Sequence, residues 1–118
     1  MKMLKLVIIT LMLFLSGCSS VSDETLLKAH TAVDNGALII DVRTQEEFRT
    51  GHLREAINIP LQMLPRNVKS LDKKREIVVY CRSGSRSISA AKFLKEQGYT
   101  VYDVGTQGNW NKKIVPKQ

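Results

Sequence analysis

The chain is 118 residues long, 43% hydrophobic and 25% charged, with a formal net charge of +7 at neutral pH. That length suits one domain around one core. The basic residues are spread along the chain, which argues against nucleic acid as a partner and fits an anionic small substrate, an acidic membrane face or a solvated surface.

Lys2 and Lys5 precede an apolar run at 6–15 that only Thr10 interrupts. Such a run is too short to cross a bilayer as a helix and has the length of a signal-peptide apolar core. It ends in Leu15-Ser16-Gly17-Cys18, which resembles a bacterial lipobox. The expectation is a cleaved signal peptide at 1–17, a lipid on Cys18, a polar tether at 18–22 and a folded domain at 23–118. The lipid would hold the protein on a membrane of the cell envelope, outside the cytoplasm. Loss of Lys2 and Lys5 would leave 16 basic against 11 acidic residues.

Ser22 or Asp23 can cap a first helix that has acids in its first turn. Leu26, Leu27, Ala29, Ala32 and Val33 form its apolar stripe, and Asn35-Gly36 stop it. Ala37-Leu38-Ile39-Ile40 is continuously apolar, as a strand covered on both faces would be. Thr44 and Glu47 stand at capping-box spacing for a short helix at 44–49. His52 then lies in a turn, and a second strand at 56–59 closes at Pro60. Pro65 limits 61–71 to short helical pieces, and 72–76 is a charged loop. Ile77-Val78-Val79-Tyr80 is the third strand. A helix at 87–97 follows, presenting Ile88, Ala91 and Leu94 with Ala90 and Phe93 beside them, and ends at Gly98. Residues 99–104 form the last strand; from Gly105 the chain reads as loop, with Trp110 a cover over one end of the core. Strands alternating with helices predict an α/β fold with a mainly parallel sheet between helical layers.

The segment Cys81-Arg82-Ser83-Gly84-Ser85-Arg86 joins the third strand to the helix after it. A sulfur at a strand-to-helix turn meets free backbone N–H groups and the positive end of the helix dipole, which together favour the thiolate, the nucleophilic form. Gly84 allows a tight backbone curl, and Arg82 and Arg86 add fixed positive charge. If Cys18 is acylated, Cys81 has no intramolecular partner, which points to a reactive thiol or an intermolecular disulfide. His30 and His52 are isolated and no Cys-x-x-Cys pair occurs, so neither a metal nor a cofactor is expected.

Two motifs together resemble the single-domain rhodaneses. The first is Leu38-Ile39-Ile40-Asp41-Val42-Arg43, followed by Glu47-Phe48, Gly51-His52-Leu53 and Ala56-Ile57-Asn58-Ile59-Pro60. The second is Val78-Val79-Tyr80-Cys81-Arg82-Ser83-Gly84-Ser85-Arg86-Ser87. The likeness covers 38–110 and departs at Glu55 and Val104, where the family often has glycine, in the near absence of a strand before the first helix, and in the short tail after Trp110.

This resemblance implies a three-layer α/β/α fold with four to five strands. It also implies transfer of a sulfane sulfur from a small anionic donor such as thiosulfate, through a Cys81 persulfide, to cyanide or to a thiol that can belong to a protein. Backbone N–H groups of 82–86, with Ser83, Gly84 and Ser85, would cradle the charge, and Arg82 and Arg86 would bind the donor. Asp41 would orient one of those arginines or pair with Arg43. The protein would act as a monomer. A persulfide carrier or redox-sensing module is the alternative. A small cysteine phosphatase or arsenate reductase of related fold ranks below it. Such phosphatases keep five residues between cysteine and arginine, whereas four separate Cys81 from Arg86 here.

Overall fold

The computed structural model describes residues 20–114. The signal peptide, the lipobox and Cys18 expected from the sequence lie outside these residues. Four strands build one sheet: β1 (Leu38–Asp41), β2 (Ile57–Asn58), β3 (Ile77–Cys81) and β4 (Val101–Thr106). They run in the order β2-β1-β3-β4, and every pairing is parallel. The expected α/β architecture holds. Among the described residues no strand precedes the first helix.

Parallel strands need crossover connections, and these lay helices over both faces. The pleat of β3 divides the core accordingly. Ile77, Val79 and Cys81 point into one cluster with Ile40, Val42, Leu64, Ala90 and Leu94. Val78 and Tyr80 point into the other with Leu26, Ala29, Ile39, Leu53 and Val104. All five residues of β3 are buried, which is why the run is apolar without alternation.

Helix α1 (Asp23–Asp34) starts where Ser22 Oγ accepts the Thr25 amide at 3.2 Å. Helix α2 (Gln45–Thr50) carries a complete capping box. Thr44 Oγ1 accepts the Glu47 amide at 3.1 Å, and Glu47 Oε1 accepts the Thr44 amide at 3.3 Å. The proline-bearing stretch folds into a 3-10 turn (Leu61–Met63), the one-turn helix α3 (Leu64–Asn67) and a second 3-10 turn (Val68–Ser70).

Four sequence expectations shift. The second strand shrinks to two residues, because β2 is an edge that pairs only with β1 and leaves Ile57 exposed. The helix after the reactive loop, α4 (Ser85–Glu96), begins two residues earlier than 87, and Ile88 is 54% exposed. Ser87 takes the inward place one turn before Ala90 and Ala91, so the buried face begins with a hydroxyl that donates to the Gly84 carbonyl at 3.0 Å. Tyr99 precedes the last strand; its hydroxyl lies 2.9 and 2.8 Å from the Val68 and Leu71 carbonyls, pinning the loop before β3.

Past Gly105 the chain stays ordered. β4 runs to Thr106, whose Oγ1 caps α5 (Gln107–Trp110) by accepting the Asn109 amide. A bulge at Val104 makes Tyr80 face Gly105 and puts Val104 fully into the core. Gly105 has φ 75°, and a Cβ there would press on Asn109 Nδ2 at 3.0 Å. Trp110 closes this end by stacking on His30 at 3.7 Å, and the His30 ring donates to the Trp110 carbonyl. Glu55, one of the departures noted in the sequence, has φ 66°, the left-handed region that glycine enters without strain.

Candidate active site

Parallel strands deliver all their carboxyl ends to one edge, and helix N-termini gather there. Cys81 is the last residue of β3 and α4 starts at Ser85, so the chain must reverse within three residues. Gly84 makes the reversal possible by adopting φ 99° at the helix N-cap. The curl brings two amides onto Cys81 Sγ: Gly84 N–H at 3.0 Å and Ser87 N–H at 3.3 Å. The sulfur is therefore held by donors at the positive end of a three-turn helix. The Cys81 residue is 1% exposed and borders the aliphatic cluster, so hydrocarbon covers one side of the sulfur and peptide dipoles the other.

Of the amides anticipated within 82–86, only that of Gly84 reaches the sulfur. The other comes from Ser87, one residue beyond, because the helix N-terminus and not the loop supplies it. Arg82, Ser83 and Ser85 stand exposed at the mouth, with Ser83 and Ser85 Oγ atoms 3.4 Å apart. Arg82 makes no side-chain hydrogen bond or ion pair among the described residues.

Arg86 is engaged. Its Nη1 and Nη2 donate to Glu47 Oε1 and Oε2 at 2.7 and 3.0 Å, a bidentate bridge from α4 to α2. The Arg86 guanidinium, aided by the Thr44 amide and hydroxyl, holds the Glu47 carboxyl at about 2, well below the usual carboxylate range. Arg86 is in turn raised, first by that hydrogen bonding. One carboxylate thus completes the capping box of α2 and anchors the first turn of α4. Capping-box spacing disclosed Glu47 in the sequence; its partner, 39 positions away, it could not.

Because the folded value of Glu47 lies below the unfolded one, the bridge contributes its full stability above about pH 5 and loses it as pH falls toward about 2. The pair is partly exposed, so about 1 kcal/mol is expected at neutral pH. Glu47→Gln keeps an acceptor for the capping box. The Tm gap between wild type and Glu47→Gln should therefore be a few degrees at pH 7, narrow below about pH 4 and close as pH falls through about 2. A gap constant over that range would refute the assignment.

Asp41 orients neither Arg82 nor Arg86. Its buried carboxylate accepts the Arg43 backbone amide at 2.9 Å, Arg43 Nε at 2.9 Å, Arg43 Nη2 at 2.6 Å and the Tyr80 hydroxyl at 2.8 Å. Arg43 Nη2 also donates to the Gly51 carbonyl at 2.7 Å, and Tyr80 Oη accepts the Leu53 amide at 3.0 Å. Hydrogen bonding to Asp41 raises Arg43 above its usual value against the opposing effect of burial. Burial is also the main cause that pushes the Tyr80 phenol up to about 12. The cluster ties β1, β3 and the Gly51–Leu53 turn into one frame behind the reactive loop. Asn58 adds to it by donating Nδ2 to the Asp41 and Arg43 carbonyls at 3.0 and 2.9 Å. The His52 ring is engaged locally: it stacks on Phe48 and donates to the Phe48 carbonyl.

Comparison with known proteins finds sulfurtransferase relatives and a rhodanese of the same fold. A sulfurtransferase of Allochromatium vinosum is 35% identical over 77 residues, 65% of this chain and 72% of that protein. The thiosulfate sulfurtransferase PspE of Escherichia coli is 40% identical over 63 residues, 52% of this chain and 61% of its own. A solved rhodanese with anions from E. coli superposes with a TM-score of 0.60 at 32% identity, covering 70% of this chain and all of that one. The family profile described as Rhodanese-like domain matches residues 24–111, from the first turn of α1 to the end of α5. With the family profile and the fold in agreement over that span, the chain belongs to the rhodanese-like domain family.

Proposed function

We propose that the protein is a sulfurtransferase that moves a sulfane sulfur from a small anionic donor of the thiosulfate class to a thiol or cyanide through Cys81. The observation that carries this reading is the pair of amides, Gly84 N–H at 3.0 Å and Ser87 N–H at 3.3 Å, on a sulfur at the N-terminus of α4. In the first step the Cys81 thiolate forms an S–S bond to the outer sulfur of the donor. The donor's own S–S bond breaks, and its electron pair leaves with sulfite. In the second step an acceptor thiolate or cyanide takes the outer sulfur, and the electron pair of the broken bond returns to Sγ. The two substrates balance each other's electrons, so the cycle as written calls for no redox cofactor.

The two amides would stabilise the anionic sulfur before and after the transfer, which is covalent catalysis in a preorganised cradle. Arg82, exposed and without a partner among the described residues, suits the donor's sulfonate end better than Arg86, whose terminal nitrogens face Glu47. Arg86 contributes charge beside Cys81 and fixes the first turn of α4. The lipobox supports a mature protein that begins at Cys18 and is held to the envelope by lipid.

Intact mass of full-length protein recovered from bacterial membranes tests both statements at once. Thiosulfate should add the mass of one sulfur atom to the wild type and none to Cys81→Ser, and the N-terminus should begin at a lipidated Cys18. Equal masses with and without thiosulfate, in protein whose Cys81 thiol is free, would overturn the chemistry. An unprocessed N-terminus would overturn the anchor alone.

A further inference from the structure

A cavity of about 410 Å³ lies between α2 and the turn after β2, lined by Gln45, Asn58, Ile59, Pro60, Met63 and Asn67. It shares both the edge and the face of the sheet with Cys81. The Leu61 amide donates to the Val42 carbonyl at 3.1 Å, and the Val42 amide donates to the Tyr80 carbonyl at 3.1 Å. Two strand spacings, about 10 Å, therefore separate the backbone of Leu61, which follows the lining residue Pro60, from the residue before Cys81. Ile59 belongs to the same buried cluster as Cys81, and α4 packs on the Leu61–Met63 turn. Its size is that of a small-molecule site, and crevices beyond the carboxyl ends of parallel strands are where such sheets bind ligands.

The lining discriminates between the two substrates. No side chain among the six is charged, so nothing there offsets the desolvation of a doubly charged donor. Cyanide is too small to fill the space. The lining instead combines three carboxamides with the apolar side chains of Ile59, Pro60 and Met63. Asn58 Nδ2 is committed to the Asp41 and Arg43 carbonyls, and Asn67 Nδ2 to the Met63 carbonyl at 2.8 Å. Both side-chain oxygens are left as acceptors without a donor among the described residues, and the Gln45 amide is uncommitted.

We infer that this cavity binds the body of the sulfur acceptor, and that the acceptor is a small uncharged thiol carrying amide N–H groups on an arm of about 10 Å, the reach of roughly three extended residues. The inference rests on the sulfurtransferase reading above and names its acceptor class. Bound there, the acceptor's thiolate attacks the outer persulfide sulfur. A new S–S bond forms, the bond to Sγ breaks with its electron pair returning to Cys81, and the acceptor leaves as a persulfide.

Pantetheine, neutral with two amides and a terminal thiol, is the probe. Met63→Trp, at an exposed position on the cavity wall, should lower the ratio of kcat/KM for pantetheine to that for cyanide about tenfold. In Cys81→Ser protein, which cannot turn over, pantetheine should shift the side-chain amide NMR signals of Gln45, Asn58 and Asn67, and mercaptoacetate should not. An unchanged ratio, or pantetheine shifts at none of the three carboxamides, overturns the inference. Absence of any persulfide with thiosulfate would instead sink the sulfurtransferase reading, while the titration still decides what the cavity binds.

Discussion

Cys81→Ser is expected to remove thiosulfate-to-cyanide transfer to background, a loss on the order of 10⁶-fold as for other covalent nucleophiles, with Tm changed by only a few degrees. The hydroxyl that replaces the thiol stays within reach of the Gly84 and Ser87 amides, so the loop keeps its hydrogen bonds. It is not ionised at neutral pH and cannot store sulfane sulfur as a persulfide. The contrast between lost turnover and retained fold separates a chemical role from a packing role for a residue that is 1% exposed. Turnover within tenfold of wild type in Cys81→Ser would place the chemistry elsewhere.

Asp41→Ala is expected to have the largest effect on stability. It strips four donor groups of their acceptor: the Arg43 amide, two guanidinium nitrogens and the Tyr80 hydroxyl. Arg43 would remain a charge in a site where it is 7% exposed. Removing one partner of a buried pair costs about 3–5 kcal/mol, a large share of the roughly 5–15 kcal/mol that holds a domain together. For a domain of this size that corresponds to a Tm drop of about 15 °C or more, or to a chain unfolded at 37 °C. Thermal melts by circular dichroism measure it. A drop of under about 3 °C would show that the Asp41 cluster is dispensable for the fold.

What was legible in the sequence has short range. The caps of α1 and α2, the break at Pro65 and the stop at Gly98 depend on residues within four positions of one another, where backbone hydrogen bonding and side-chain sterics decide alone. The strand cores of β1 and β3 were legible because burial on both faces forces an unbroken apolar run. The strand-to-helix turn at Cys81 was legible because a strand, a cysteine, a glycine and a helix start follow one another directly.

The rest needed partners far along the chain. Glu47 meets Arg86, Asp41 meets the Tyr80 hydroxyl, and Tyr99 meets the Val68 carbonyl, each across about 30 to 40 positions. No local pattern encodes such a pair, because each exists only once the sheet and its helices have brought distant segments side by side. The same reason explains the shortened β2 and the extension of β4 with its bulge at Val104. Strand ends are set by which neighbour supplies a ladder of hydrogen bonds, and α5 follows from where β4 releases the chain.

By itself the sequence determined the α/β alternation, the strand–cysteine–helix junction at Cys81 and the family likeness, all properties of contiguous residues. Only the tertiary structure decided which two amides face the sulfur, which arginine is tied down and which is exposed, and where a neutral cavity opens beside them. Those depend on distances between elements, and packing of the two helical layers against one sheet sets these distances.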